Sequence, residues 1–213
     1  MSWISGLSSL KSLDLSYVNL RKAQNRDMVF YMMSSLVKLS LSECGLTNVD
    51  LGTLSNASTI LSNIKHLDLG YNNFKGQFPT FFQNMTSLEF LDLSNFNFQP
   101  FLLSIIGSFP KLSLSNCRLL DMHLSPTHLN STTISNIRHL DLSGNLLGRF
   151  PSVLINMSTL LSLDLSYNKL SSSVPIMLNL RMLDLSLNNF KQIEDVGIWR
   201  QCHLKELRVS YNQ

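Results

Sequence analysis

Residues 139–170 read HLDLSGNLLGRFPSVLINMSTLLSLDLSYNKL, and the first nine of them return in altered form as the last nine. Leu140, Leu142, Asn145 and Leu147 are matched by Leu163, Leu165, Asn168 and Leu170, an offset of 163 − 140 = 23 residues at each position. Leucines two apart share one face of an extended strand, and the residues between them share the other. Working outward, the pattern L-x-x-L-x-L-x-x-[N/C]-x-L places its fourth position on Leu13, Leu39, Leu67, Leu91, Leu112, Leu140, Leu163, Leu183 and Leu207. The first and last of these are 207 − 13 = 194 residues apart, so eight intervals average about 24 residues, and a fixed period of that size overrides any element-by-element reading.

The period dictates the architecture. A three-residue strand cannot bury its leucine face alone, so successive copies must stack as a parallel sheet whose inner face packs on the returning limb of each coil. The pattern resembles the leucine-rich repeat. The expected fold is therefore an α/β solenoid, a leucine-rich-repeat horseshoe with a concave parallel sheet and a mostly irregular or 3-10 convex side. It is read as one domain over residues 1–213, of about nine repeats, without N- or C-terminal caps.

The ninth position must turn the chain, and an asparagine side chain there can bond backbone groups that the turn leaves unpaired. Asn72, Asn145, Asn168, Asn188 and Asn212 hold that place, with Cys44 and Cys117 substituting in coils two and five. Three strand steps of about 4.8 Å would hold these cysteines roughly 14 Å apart, too far for a disulfide, so both are expected as buried thiols, and Cys202 as unpaired within the chain. Val18 and Phe96 stand at the same position and cannot bond a carbonyl, which predicts local irregularity in coils one and four. The intervals Leu91 to Leu112 and Leu163 to Leu183 are short, 112 − 91 = 21 and 183 − 163 = 20 residues, which predicts shortened returning limbs. Good helix formers over 25–34 predict a short convex helix.

Composition narrows the function classes. Lysine and arginine number 17 against 14 acidic residues, a balance too slight for a polyanion-binding surface, so no nucleic-acid partner is expected. The apolar run at 101–106, FLLSII, is far below the ~18 residues of a membrane span, so no direct membrane insertion is expected. The start, MSWISGLSSLKSLDLS, shows no signal-peptide pattern.

Three returning limbs carry a further motif: NNFKGQFP at 72–79, NLLGRFP at 145–151 and NKLSSSVP at 168–175. These resemble the N-x-L-x-G-x-[I/F]-P extension of plant-type extracellular leucine-rich repeats, in which a second short strand follows the concave one. The second copy is one residue short, and the third has Ser172 where the extension has glycine. The stretches WISGLSSLKSLDLSYVNL at 3–20 and IEDVGIWRQCHLKELRVSYNQ at 193–213 are similar to plant receptor-like proteins of the elicitor- and xylanase-receptor type. The resemblance implies a cell-surface parent with its repeats on the extracellular face of the plasma membrane. It also implies a protein or peptide ligand, and signalling through a membrane co-receptor kinase because such proteins lack a kinase of their own. Four N-x-[S/T] sequons, at Asn56, Asn84, Asn130 and Asn156, agree with an extracellular setting, and Asn84 and Asn156 fall at one phase of their coils, each four residues before a leucine.

No constellation points to catalysis. Asp14, Asp68, Asp92, Asp141, Asp164 and Asp184 form a column at the fifth position, with serine at the seventh supplying hydroxyl donors, which reads as a structural or solvated ladder. His66 and His139 share a strand face with an aspartate but lie along an extended chain, whereas nucleophilic catalysis needs groups converged on one atom. No metal site, cofactor or enzymatic activity is expected. The third and eighth positions vary from coil to coil on the exposed face, and aromatic anchors in a polar surround are what protein-binding hot spots use. His66, Tyr71, Phe90, His139, Tyr167 and Met182 are accordingly the candidate ligand contacts. Three functions remain open on the sequence: a ligand-recognising receptor segment, a secreted inhibitor of a microbial hydrolase, and a truncated receptor product without activity.

Overall fold

The computed structural model describes residues 7–23, 34–58, 61–76, 79–98, 109–125, 136–191 and 202–213. Asn130 and, apart from Ser34, the helix expected over 25–34 lie outside these residues. The chain divides into two units, Met1–Asn97 and Phe98–Gln213. In the first, strands β1 (Ser12–Asp14), β2 (Lys38–Ser40), β3 (His66–Asp68) and β5 (Phe90–Asp92) form a parallel ladder with Leu13, Leu39, Leu67 and Leu91 in register. In the second, β7 (Lys111–Ser113), β8 (His139–Asp141), β9 (Ser162–Asp164), β10 (Met182–Asp184) and β11 (Glu206–Arg208) do the same around Leu112, Leu140, Leu163, Leu183 and Leu207. Each unit is thus a leucine-rich-repeat solenoid.

The leucines explain the register. Leu39, Leu67, Leu91, Leu163 and Leu183 are buried, as are Leu41, Leu69, Leu93, Leu114, Leu142, Leu165 and Leu185 two residues on. Each contributes on the order of 2 kcal/mol by leaving water, and a slip of one residue would expose the whole column. Only Leu207 among the central leucines is exposed, at 38%.

At the eighth position every coil bends the same way. Tyr17, Glu43, Tyr71, Asn95, Asn116, Gly144, Tyr167, Leu187 and Tyr211 all have positive φ, between 53° and 65°. Nothing in the leucine pattern announces this, because that conformation favours glycine and asparagine and here accepts tyrosine, glutamate and leucine. The turn survives in coils one and four. Val18 and Phe96 donate their amides to Leu15 and Leu93 at 3.0 and 3.1 Å, so the expected irregularity is absent. The bend is set by the backbone at the eighth position, not by the side chain at the ninth.

The returning limbs are mostly 3-10 or irregular, as expected, with 3-10 turns at Thr80–Asn84, Asp121–Leu124 and Ser152–Asn156. One is an α-helix, α1 (Asn48–Ala57), in the 67 − 39 = 28-residue interval of coil two. The Thr47 amide donates to Asp50 Oδ2 at 2.8 Å and so caps its first turn, while Leu51, Leu54 and Ala57 bury one face. In NNFKGQFP, the two-residue strand β4 (Lys75–Gly76) follows the concave one, and the Asn97 amide, where β6 (Asn97–Phe98) starts, donates to the Phe74 carbonyl at 3.2 Å.

Candidate functional site

The asparagines do not make the turn but satisfy the backbone groups around it. Asn72 Nδ2 donates to the carbonyls of Leu41, Leu69 and Gly70 at 2.8, 2.9 and 3.2 Å, while its Oδ1 accepts the amides of Cys44 and Leu46 at 3.1 and 2.9 Å. Leu41, Cys44 and Leu46 belong to the preceding coil, so one side chain closes two coils at once. Asn145, Asn168, Asn188 and Asn212 repeat the scheme on Leu114, Leu142, Leu165 and Leu185. Cys44 imitates half of it: its thiol donates to Leu15 O at 3.0 Å. Burial pushes that thiol up to about 11, which keeps it protonated and able to donate. No disulfide joins Cys44, Cys117 or Cys202; the first two thiols are buried and the third is exposed.

A second ladder runs along the edge where the limbs re-enter the sheet. Asn63 Nδ2 donates to Ser34 O at 2.9 Å, Thr159 Oγ1 to Ile137 O at 2.9 Å and Asn179 Nδ2 to Ser158 O at 2.7 Å. Each donor lies four residues before a central leucine, a phase readable in the sequence once it is looked for.

The aspartate column is structural. The Oδ1 atoms of Asp14, Asp68, Asp92, Asp141, Asp164 and Asp184 each accept the amide two residues on, at 2.8–2.9 Å. The serines help at Asp14, where the Ser16 hydroxyl and amide hold the carboxyl below its ordinary range. They do not decide the balance everywhere. Burial pushes Asp68 and Asp164 up, with Asp92 and Asp14 adding to it at Asp68, and Asp141 and Asp184 at Asp164. For Asp164 the sign follows: a carboxyl whose pKa is higher folded than unfolded makes the protein lose stability as pH rises through the window just above the ordinary carboxylate range. Asparagine can still accept the Ser166 amide and carries no charge. Asp164→Asn should therefore be more stable than the parent at pH 7, with the gain shrinking below pH 4. Urea titrations at both pH values check this, and a pH-independent difference would refute it.

The six candidate contacts lie on or beside the outer face of the sheet. In the first unit His66 and Phe90 are register partners on β3 and β5, with ring centroids 5.9 Å apart and planes tilted by 35°, both half-buried. Tyr71, 48% exposed, follows β3 in the left-handed turn. In the second unit His139, Tyr167 and Met182 come from three successive coils. His139 is half-buried, and burial, together with Lys111 and Arg138, pushes its imidazole down and keeps it neutral. Met182 Sδ accepts the Ser162 hydroxyl at 3.5 Å, and Tyr167 is 63% exposed. Neither histidine bonds an aspartate among the described residues, and no group of His, Cys, Asp or Glu among them is arranged to hold a metal ion. No helix among them is long and apolar enough to cross a membrane.

The Leucine rich repeat family matches residues 34–98, with further Leucine Rich Repeat matches at 136–157 and 156–173. Receptor-like protein 54 of Arabidopsis thaliana is 31% identical over 199 residues, which cover 88% of this chain and 22% of that protein. Receptor-like protein EIX1 of Solanum lycopersicum is 32% identical over 62% of this chain and 14% of its own length. The chain thus spans about a fifth or less of these relatives. Among solved structures, the APL1 leucine-rich repeat domain superposes with a TM-score of 0.67 at 21% identity, over 98% of this chain and 58% of that one. The ectodomain of the Arabidopsis thaliana receptor kinase GASSHO1/SCHENGEN3, solved with CASPARIAN STRIP INTEGRITY FACTOR 2, gives 0.61 at 22% identity, over 98% of this chain and 25% of that one. At these identities the two structures bear on fold alone.

Proposed function

Because the chain belongs with the plant leucine-rich-repeat receptor-like proteins, we propose that it is a protein- or peptide-recognition segment of a cell-surface immune-type receptor ectodomain. It binds and does not catalyse, and it signals through partners such as a membrane co-receptor kinase. The observation that carries this reading is the His66–Phe90 pair. Two aromatic rings meet on the outer face of a sheet where consensus positions are polar, with Lys38 beside His66 in the ladder and Tyr71 at the strand end. Folding already buries the leucine face, so a half-buried aromatic pair outside it is suited to anchor a partner. In the second unit His139, Tyr167 and Met182 are candidate contacts of their own.

The same reading makes the sequons a glycosylated flank. Asn84 and Asn156 are exposed and each ends a 3-10 turn, and Asn56 is exposed near the end of α1.

Panning a displayed random-peptide library over the chain tests the placement. Enriched peptides should bind the Phe90→Ala/Tyr71→Ala variant about tenfold or more weakly, the ~1–2 kcal/mol of a moderate hot spot. Unchanged affinity would move the surface elsewhere, and no enrichment over the bare support would remove peptide recognition itself.

A further inference from the structure

We infer that the second unit carries a separate docking groove for an acidic peptide segment of a protein partner, on the edge where the returning limbs re-enter the sheet. Arg138, Leu161, Ser158, Thr159, Leu178 and Arg181 line an open groove of about 380 Å³, and Asn179 and His203 complete it. Arg138, Leu161 and Arg181 each stand two residues before the central leucine of successive coils. Their backbones are tied in series, the Leu161 amide to Arg138 O and the Arg181 amide to Leu161 O, both at 2.8 Å. Thr159 and Asn179 fix the limb side through their bonds to Ile137 O and Ser158 O. The walls are therefore preformed, which lowers the ordering cost of binding.

The chemistry of the lining selects the occupant. Among the described residues two guanidinium groups and one imidazole line the groove, no carboxylate lines it, and neither arginine has an ion-pair partner. Arg208 shows the contrast, since it pairs with Glu206 at 2.6 Å. Beside these cations Leu178 is 69% exposed, an apolar side chain that a free inorganic anion would leave in water. A peptide with two carboxylates flanking an apolar residue satisfies both features. Two strand steps of about 4.8 Å separate Arg138 from Arg181 by roughly 10 Å, close to three residues of a polyproline-II segment at about 3.1 Å each, whose first and fourth side chains share a face. Guanidinium and carboxylate then meet in charge-assisted pairs, with the apolar residue over Leu178.

The test uses the full chain and a short fluorescent peptide with a Glu-Leu-Ala-Glu core, followed by anisotropy. Saturable binding is expected, weakened about tenfold or more by Arg138→Gln/Arg181→Gln and by replacing both glutamates of the peptide with glutamine. Leu178→Ser should weaken it by a smaller factor. The Arg149→Gln/Lys169→Gln variant removes the same charge from exposed positions outside the groove and should bind as the parent does. Equal loss in that control would reduce the effect to diffuse electrostatics, and sulfate competing at the peptide's own concentration would make it a simple anion site. Either result overturns the proposal, as does an absence of binding. All five side chains are solvent-exposed, so a matching thermal unfolding midpoint shows that each variant is folded.

Discussion

Replacing Asn168 by alanine should destabilise the chain by about 3–5 kcal/mol, one of the two largest losses expected of any single substitution considered. The Asn168 amide nitrogen serves Leu142 O, Leu165 O and Ser166 O at 3.0, 3.1 and 3.1 Å, and its oxygen accepts the Leu147 amide at 3.1 Å. Alanine leaves these backbone groups buried with fewer partners, and an unsatisfied buried group costs about 1–3 kcal/mol where a made bond gains about 1. Asn168→Cys should lose less, because Cys44 shows a thiol donating to the same carbonyl of its preceding coil. Asn168→Asp should lose at least as much as alanine, since a carboxylate faces the three carbonyls with no donor. The urea midpoint should fall in the order Asn, Cys, Ala, with Asp at or below Ala. An alanine variant within 1 kcal/mol of the parent would contradict the account.

Phe96→Ala should cost a similar amount, about 3–5 kcal/mol, for the opposite physical reason. Phe96 occupies the asparagine place of coil four, is 1% exposed, and packs on Phe74 with centroids 5.8 Å apart and planes at 32°. The coil is closed by apolar volume instead of by hydrogen bonds, so truncation opens a cavity beside Phe74. Phe96→Leu should recover most of the loss, which a hydrogen-bonding role would not permit. Equal destabilisation by leucine and alanine would sink the packing explanation.

These two positions also show what could be read in advance. Period, strand phase and the asparagine ladder were legible because a leucine at 140 and one at 163 can be superposed without any coordinates. Phe96 departs from the polar rule of the ninth position because the left-handed Asn95 before it already makes the turn and leaves the next side chain free to serve the core. That backbone state is invisible in the letters: tyrosine, leucine and glutamate all adopt it here. Helix α1 is legible in Thr47 and Asp50, a capping pair at the right spacing in one of the longest intervals, whereas the helix expected over 25–34 belongs to another coil and, Ser34 apart, lies outside the described residues. The structural part of the aspartate column is legible in its repetition, whereas the upward push at Asp68 and Asp164 depends on burial, which a strand pattern cannot supply. Of the candidate contacts, register brings His66 onto Phe90, because both stand one residue before a central leucine. The groove at Arg138 and Arg181 is not legible in the sequence, because its members are scattered along the chain and meet only through stacking.

The ladder has a direction. Asn72, Asn145, Asn168, Asn188 and Asn212 all reach back to the coil before their own, and so does Cys44. A coil is therefore unfinished until the next one has been made, because the side chain that satisfies its turn arrives about 24 residues later. On a ribosome adding ~5–20 residues per second, each coil waits roughly 1–5 seconds for completion, and folding trails synthesis by one repeat. A polypeptide stalled in mid-synthesis then exposes unsatisfied backbone only at its growing end, which is where a chaperone would have to stand guard.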